Sequence, residues 1–107
     1  MAFDAYDVSI SLIRSLAPLL ARLGAVDPKL ADQARRAVTS VALNIQEANR
    51  RQGRDRRNRF RISLGSAAEA GAAIDVAVAF GYLADDEAAA PRELLDRVRA
   101  MTYRLAR

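Results

Sequence analysis

Apolar residues recur along this chain in alternating steps of three and four, the spacing that keeps side chains on one face of a helix. Nowhere do β-branched and aromatic residues alternate with polar ones at period two, so the predicted class is all-α. Four helical segments stand out, at about 4–23, 28–51, 55–80 and 86–105. The first carries two stripes, Tyr6, Ile10, Ile13, Ala17 and Leu20 on one and Leu12, Leu16, Leu19 and Leu23 on the other. A helix packed only inside a monomeric bundle usually shows one apolar stripe about 100° wide. The doubled stripe therefore points to a second partner surface. Pro18 removes an internal hydrogen bond and predicts a kink.

Punctuation between the segments follows helix-end chemistry. Gly24 is a natural stop, and Asp27 followed by Pro28 reads as an N-cap with proline in the first turn. The second helix buries Leu30, Ala34, Ala37, Val41 and Ala48, with Val38 and Ile45 alongside. Asp55 is placed to cap the third, whose heptad runs through Phe60, Leu64, Ala67, Gly71, Ile74 and Val78. Its middle is thin, with Gly65, Ser66, Ala67, Ala68, Gly71, Ala72 and Ala73, which lets a neighbouring helix come close. Gly81 closes that helix, Asp85 or Asp86 caps the next, and Leu94, Leu95, Val98, Met101 and Leu105 line the fourth beyond Pro91. Four helices with short connections make an antiparallel up-down-up-down bundle.

Composition adds one feature that this outline does not explain. The 107 residues form one domain and carry a net charge of +4, its positive excess lying in the twelve residues RRQGRDRRNRFR, which hold seven arginines against Asp55 alone. Arg50, Arg51, Arg54, Arg56, Arg57, Arg59 and Arg61 sit at the corner between the second and third helices. Cations so crowded repel one another unless they are well solvated or meet a polyanion, and nucleic acid is the commonest polyanion in a cell. The plain alternative is a solvated corner in a chain whose usual base is arginine, with sixteen Arg against Lys29. Arg104 and Arg107 suit the negative end of a helix dipole.

The absence of cysteine and histidine narrows the chemistry. No disulfide framework, zinc ribbon or thiol nucleophile is available, and the Glu-x-x-His ligands of a di-iron bundle and an imidazole base for a hydrolase are both missing. The HEPN class of small helical ribonucleases is excluded for want of its histidine. We therefore expect no enzyme, no cofactor and no metal; Glu47 and Glu69, one on each central helix and placed to face each other, fall short of the oxygen ligands that a hard cation collects. The N-terminus lacks a basic segment followed by an unbroken apolar run, and no window approaches the apolar length that spans a bilayer, so we expect a soluble, cytoplasmic protein with no membrane partner. Asn44, Glu47, Ser66 and Glu69 lie within or beside apolar faces, and buried polar groups need partners. They form either an interhelical hydrogen-bond cluster fixing register or, for the glutamates, pairs with corner arginines such as Glu47 with Arg51.

Helices two and three also carry a string, QARRAVTSVALNIQEANRR from Gln33 to Arg51 and FRISLGSAAEA from Phe60 to Ala70. It resembles the bacterial four-helix bundle proteins first noticed as open reading frames in intervening sequences of large-subunit ribosomal RNA genes. The family pattern is similar to Q-x-x-R-A-x-x-S-I-x-x-N-I-A-E-G, a polar turn, then F-x-x-I-A-x-G-S-A-x-E. It is matched at Gln33, Arg36, Ala37, Ser40, Asn44, Ile45, Glu47, Phe60, Gly65, Ser66, Ala67 and Glu69. The chain departs from it at Gln46, at Ala48 in place of Gly, and at Arg57 or Asn58 where an acid often precedes the Phe, which makes this corner more basic than is typical. The resemblance implies a cyclic homopentamer with a central channel. A relative, the accessory variability determinant of diversity-generating retroelements, implies nucleic-acid binding and a reverse transcriptase partner through the basic surface. The expected function is a non-enzymatic, oligomeric RNA- or DNA-binding adaptor; the alternative is a structural or protein-interaction module that binds no nucleic acid.

Overall fold

The structure, a computed structural model, describes residues 4–107. Four helices account for almost all of them: α1 Ala5–Val26, α2 Pro28–Asn49, α3 Gly53–Ala79 and α4 Asp85–Leu105, with no strand among the described residues. Each helix returns along its predecessor, α1 packing on α2 and α4 and α3 on α2 and α4, with the α2–α3 seam the most extensive. This is an up-down bundle, 42 × 29 × 18 Å.

The connections are tighter than the sequence suggests. Helix α1 runs through Gly24 to Val26, because Asp27 alone joins it to α2. The Asp27 N–H donates to the Leu23 carbonyl at 2.8 Å, while its carboxylate accepts the Leu30 N–H at 3.1 Å, so one residue caps both helices. Helix α1 also continues through Pro18. Asp55 is not the cap of α3: the helix starts earlier, behind Gln52, with Gly53 at φ +61° making the bend, and Asp55 lies in its first turn. Gly81, at φ +77°, does end α3; its N–H donates to Val78 and the Tyr82 N–H to Ala77, both at 2.9 Å. Neither Asp85 nor Asp86 is the N-cap of α4, a position held by Ala84, whose N–H donates instead to the Glu87 carboxylate at 3.0 Å. Pro91 lies inside α4, where it is buried.

The core is one apolar column of Val8, Leu12, Leu16, Val38, Val41, Ile45, Phe60, Ile74, Leu95 and Val98. Of the two α1 stripes, the one with Leu12, Leu16, Leu19 and Leu23 goes fully inward; of the other, Leu20 is buried, Tyr6, Ile10 and Ile13 are half-buried and Ala17 is exposed. Along α3 the heptad is modified by small side chains, with Ser63, Ala70, Ala73 and Ala77 buried while Leu64, Gly71 and Val78 are half-buried. Close approach is real at Gly71, where a Cβ would lie 3.3 Å from Leu95 Cδ2 of α4, but not at Gly65, which faces open space. The buried Ser63 hydroxyl donates to the Val41 carbonyl at 3.0 Å, fastening α3 to α2. Helices α1 and α3 do hold windows long and apolar enough to cross a membrane, with mean hydropathy 1.3 and 1.4, contrary to the expectation from the sequence. Both helices feed the core column, which buries 39% of the first window and 33% of the second.

Candidate nucleic-acid interface

Three groups emerge when the arginine corner is built up residue by residue. Arg51 and Arg56 belong to the fold. Arg51 forks between Asp55 at 2.7 Å and Glu47 at 3.4 Å, bridging the end of α2 to the start of α3, and both carboxylates hold its guanidinium above the ordinary arginine pKa. Arg56 reaches back to donate to the Ala48 carbonyl at 3.2 Å and lies 4.9 Å from the Phe60 ring centroid. It thereby adds a second donor to a carbonyl at the end of α2 that already accepts the Arg51 N–H at 3.0 Å.

The second group, Arg50 and Arg59, lies at the turn and toward α2: Arg59 is seven residues before Ser66, which touches α2. A shallow depression at the turn, walled by Glu47, Arg50, Arg51, Gln52 and Asp55, mixes both signs of charge and suits an anion poorly.

The third group, Arg54, Arg57 and Arg61, stands at helical spacing on the side of α3 that faces away from α2, and none forms an ion pair among the described residues. These three do not stand alone. An even number of helices returns the end of α4 to the corner, so Arg61 and Leu64 share a depression with Tyr103, Ala106 and Arg107. Arg107 lies 5.5 Å from the Tyr103 ring centroid. Arg104, a turn away, shares a second depression with Asp4, Ala5, Met101 and Leu105. One end of the bundle is therefore basic on two adjacent helices. At the opposite end Asp27, Asp85, Asp86 and Glu87 collect, with Arg22 paired to Glu87 and Arg92 to Asp75 at 2.9 Å and Asp85 at 3.2 Å.

The polar cluster divides as well. Ser40 and Ser66 hydroxyls meet at 2.7 Å across the α2–α3 seam, and the Asn44 amide donates to the Ser40 carbonyl at 2.9 Å and hydroxyl at 3.0 Å. The helices are antiparallel, so Glu47 is displaced from that contact toward the corner and Glu69 away from it. Glu47 joins Arg51; Glu69 lines an outer groove with Leu30, Gln33, Arg36, Ala72, Ala73 and Val76. The two carboxylates thus do not face each other, and no cluster of three or more metal-ligating side chains exists among the described residues. Sequence reasoning passed over Ser40 as the hub of this cluster, and Tyr103, Arg104 and Arg107 as neighbours of the corner. Helix parity was the signal that would have found the last three.

A four-helix bundle with one basic end and a serine-sealed central seam defines the class. The chain belongs to the 23S rRNA-intervening sequence protein family, whose model matches residues 3–104. Its fold is similar to the crystal structure of a protein of unknown function from the S23 ribosomal protein family of Bacteroides thetaiotaomicron, with a TM-score of 0.86 and 20% identity over 96% of this chain and 98% of that one. No protein of curated function matches.

Proposed function

We propose that this chain is a non-enzymatic, oligomeric adaptor that binds RNA or DNA through the basic end of its bundle. The observation that carries the reading is the third arginine group: Arg54, Arg57 and Arg61 are free of ion pairs, and Arg61 shares a depression with Arg107, just past the end of α4, while Asp27, Asp85, Asp86 and Glu87 gather at the far end. Phosphate contacts of this kind give affinity with little sequence preference and release counterions. Arg50, Arg59 and Arg104 flank the surface; Arg51 and Arg56 serve the fold. A reverse transcriptase is the protein partner that the resemblance brings to such a surface.

The assembly proposed is a homopentamer, its number taken from family resemblance. Support from the chain itself is the half-covered stripe Tyr6, Ile10, Ile13 on α1, together with Leu43 at 62% and Ile62 at 41% exposure. Sedimentation or native mass measurement tests it, and a monomeric mass at micromolar concentration overturns it. For nucleic acid, the test is titration of a labelled oligonucleotide at rising salt. The second reading, an interaction module whose arginines meet carboxylates of another copy, draws on the acidic far end at Asp85 and Asp86. Under that reading bulk nucleic acid leaves the migration of the protein unchanged while salt alters its oligomeric mass.

A further inference from the structure

Along α4, Arg99 and Tyr103 are four residues apart on one face, with about 6 Å of rise between them, and Arg107 follows just past the helix end; all three are exposed. Tyr103 keeps 61% of its surface exposed, an unusual position for a ring that packing has no need of, and Arg107 lies over it. Beside the ring, across the α3–α4 groove, are Arg61 and Leu64, and Arg57 is one helical heptad before Leu64 on the same side of α3. No acidic side chain lines this depression.

Cations flanking an aromatic ring that keeps most of its surface exposed are an arrangement that holds an unpaired nucleotide strand. Every base offers a π-face to a ring, and the phosphates on either side of a stacked base fall near positive charge. A duplex, whose bases are already stacked and turned inward, uses the cations and leaves the ring idle. We infer that the Tyr103 face is a stacking platform for single-stranded nucleic acid: a base packs on the exposed phenol ring while Arg61, Arg99 and Arg107 hold the adjoining phosphates. The inference rests on the nucleic-acid reading above and narrows it from any polyanion to unpaired strands.

Titration of an oligouridine of about twenty nucleotides and of an RNA duplex of the same length, each fluorescently labelled, separates the two levels. The expected result is tighter binding of the single strand, a loss of about tenfold for it on Tyr103→Ala, a much smaller loss on Tyr103→Phe, and an unchanged affinity for the duplex in both variants. Thermal melting of the variants shows that the fold survives, as it must for an exposed side chain. Equal affinity for strand and duplex, with Tyr103→Ala silent, overturns the platform and leaves the adaptor standing. Failure to bind either oligonucleotide overturns both.

Discussion

Arg56 and Arg54 are two residues apart in the same basic run, yet their removal is expected to have opposite consequences. Arg56→Ala deletes the hydrogen bond to the Ala48 carbonyl and the contact with the Phe60 ring. A charge-assisted bond at a half-exposed helix end contributes about 1 kcal/mol, and a cation 4.9 Å from a ring centroid adds about 0.5–1 kcal/mol. The variant should therefore lose about 1.5–2 kcal/mol, which for a domain of 107 residues lowers the melting temperature by about 7–9 °C. Arg54 is exposed and unpaired, so Arg54→Ala should stay within about 0.5 kcal/mol of the parent and weaken nucleic-acid binding instead. Circular-dichroism melts at matched protein concentration read the first effect, and oligonucleotide titration reads the second. A melt for Arg56→Ala that overlays the parent, or a marked loss of stability in Arg54→Ala, would refute the division between fold-building and free arginines.

Glu87 is held at about 2, below its usual 4.5, first by its hydrogen bonds to Arg22 and then by the Ala84 N–H. A depressed carboxylate stabilises the fold above its ordinary pKa, and that stability drains away as pH falls from about 4.5 toward 2. Melts across this window should fall for the parent, and more shallowly for Glu87→Gln, which starts lower at neutral pH. Two glycines should respond with opposite signs: Gly65→Ala, with nothing within 4 Å of the added Cβ, should stabilise by about 1 kcal/mol, and Gly81→Ala, at φ +77°, should cost about 1 kcal/mol or more, both measured by denaturant titration. At the seam, Ser40→Ala and Ser66→Ala should each be destabilising, but the double variant should cost less than their sum by about 0.5–1 kcal/mol, because the 2.7 Å contact is lost only once; strict additivity in the double-mutant cycle would show the contact to be idle.

Much of the fold could be read from spacing, because a stripe of Leu12, Leu16, Leu19 and Leu23 has a single helical solution and its partners on α2 and α3 share the same period. Helix ends were harder. Gly24 and Asp55 both carry the right chemistry to punctuate, but a one-residue connection at Asp27 and a bend at Gly53 satisfy the same backbone groups elsewhere, and only three-dimensional closure decides between them. The arginine run was plain as a cluster and opaque as a site. Its members are divided between the turn after α2 and different sides of the first turns of α3, so their roles depend on position and angle: Arg56 falls over Phe60, Arg51 between two carboxylates, and Arg54, Arg57 and Arg61 outward. Tyr103 and Arg107 lie more than forty residues from that run and join it only because α4 ends where α3 begins. Ser63, a polar residue at a core position, gave no sign in the hydrophobic pattern of the bond it makes to Val41.

Salt dependence of nucleic-acid binding bears on the central claim most directly. Fluorescence anisotropy of a labelled oligonucleotide should show affinity falling by a log-log slope of roughly 4 against salt, the value for about five neutralised phosphates, and the variant lacking Arg54, Arg57 and Arg61 should show a slope near 2. Binding that is absent at low salt, flat across the titration, or unchanged in that triple variant would contradict the account.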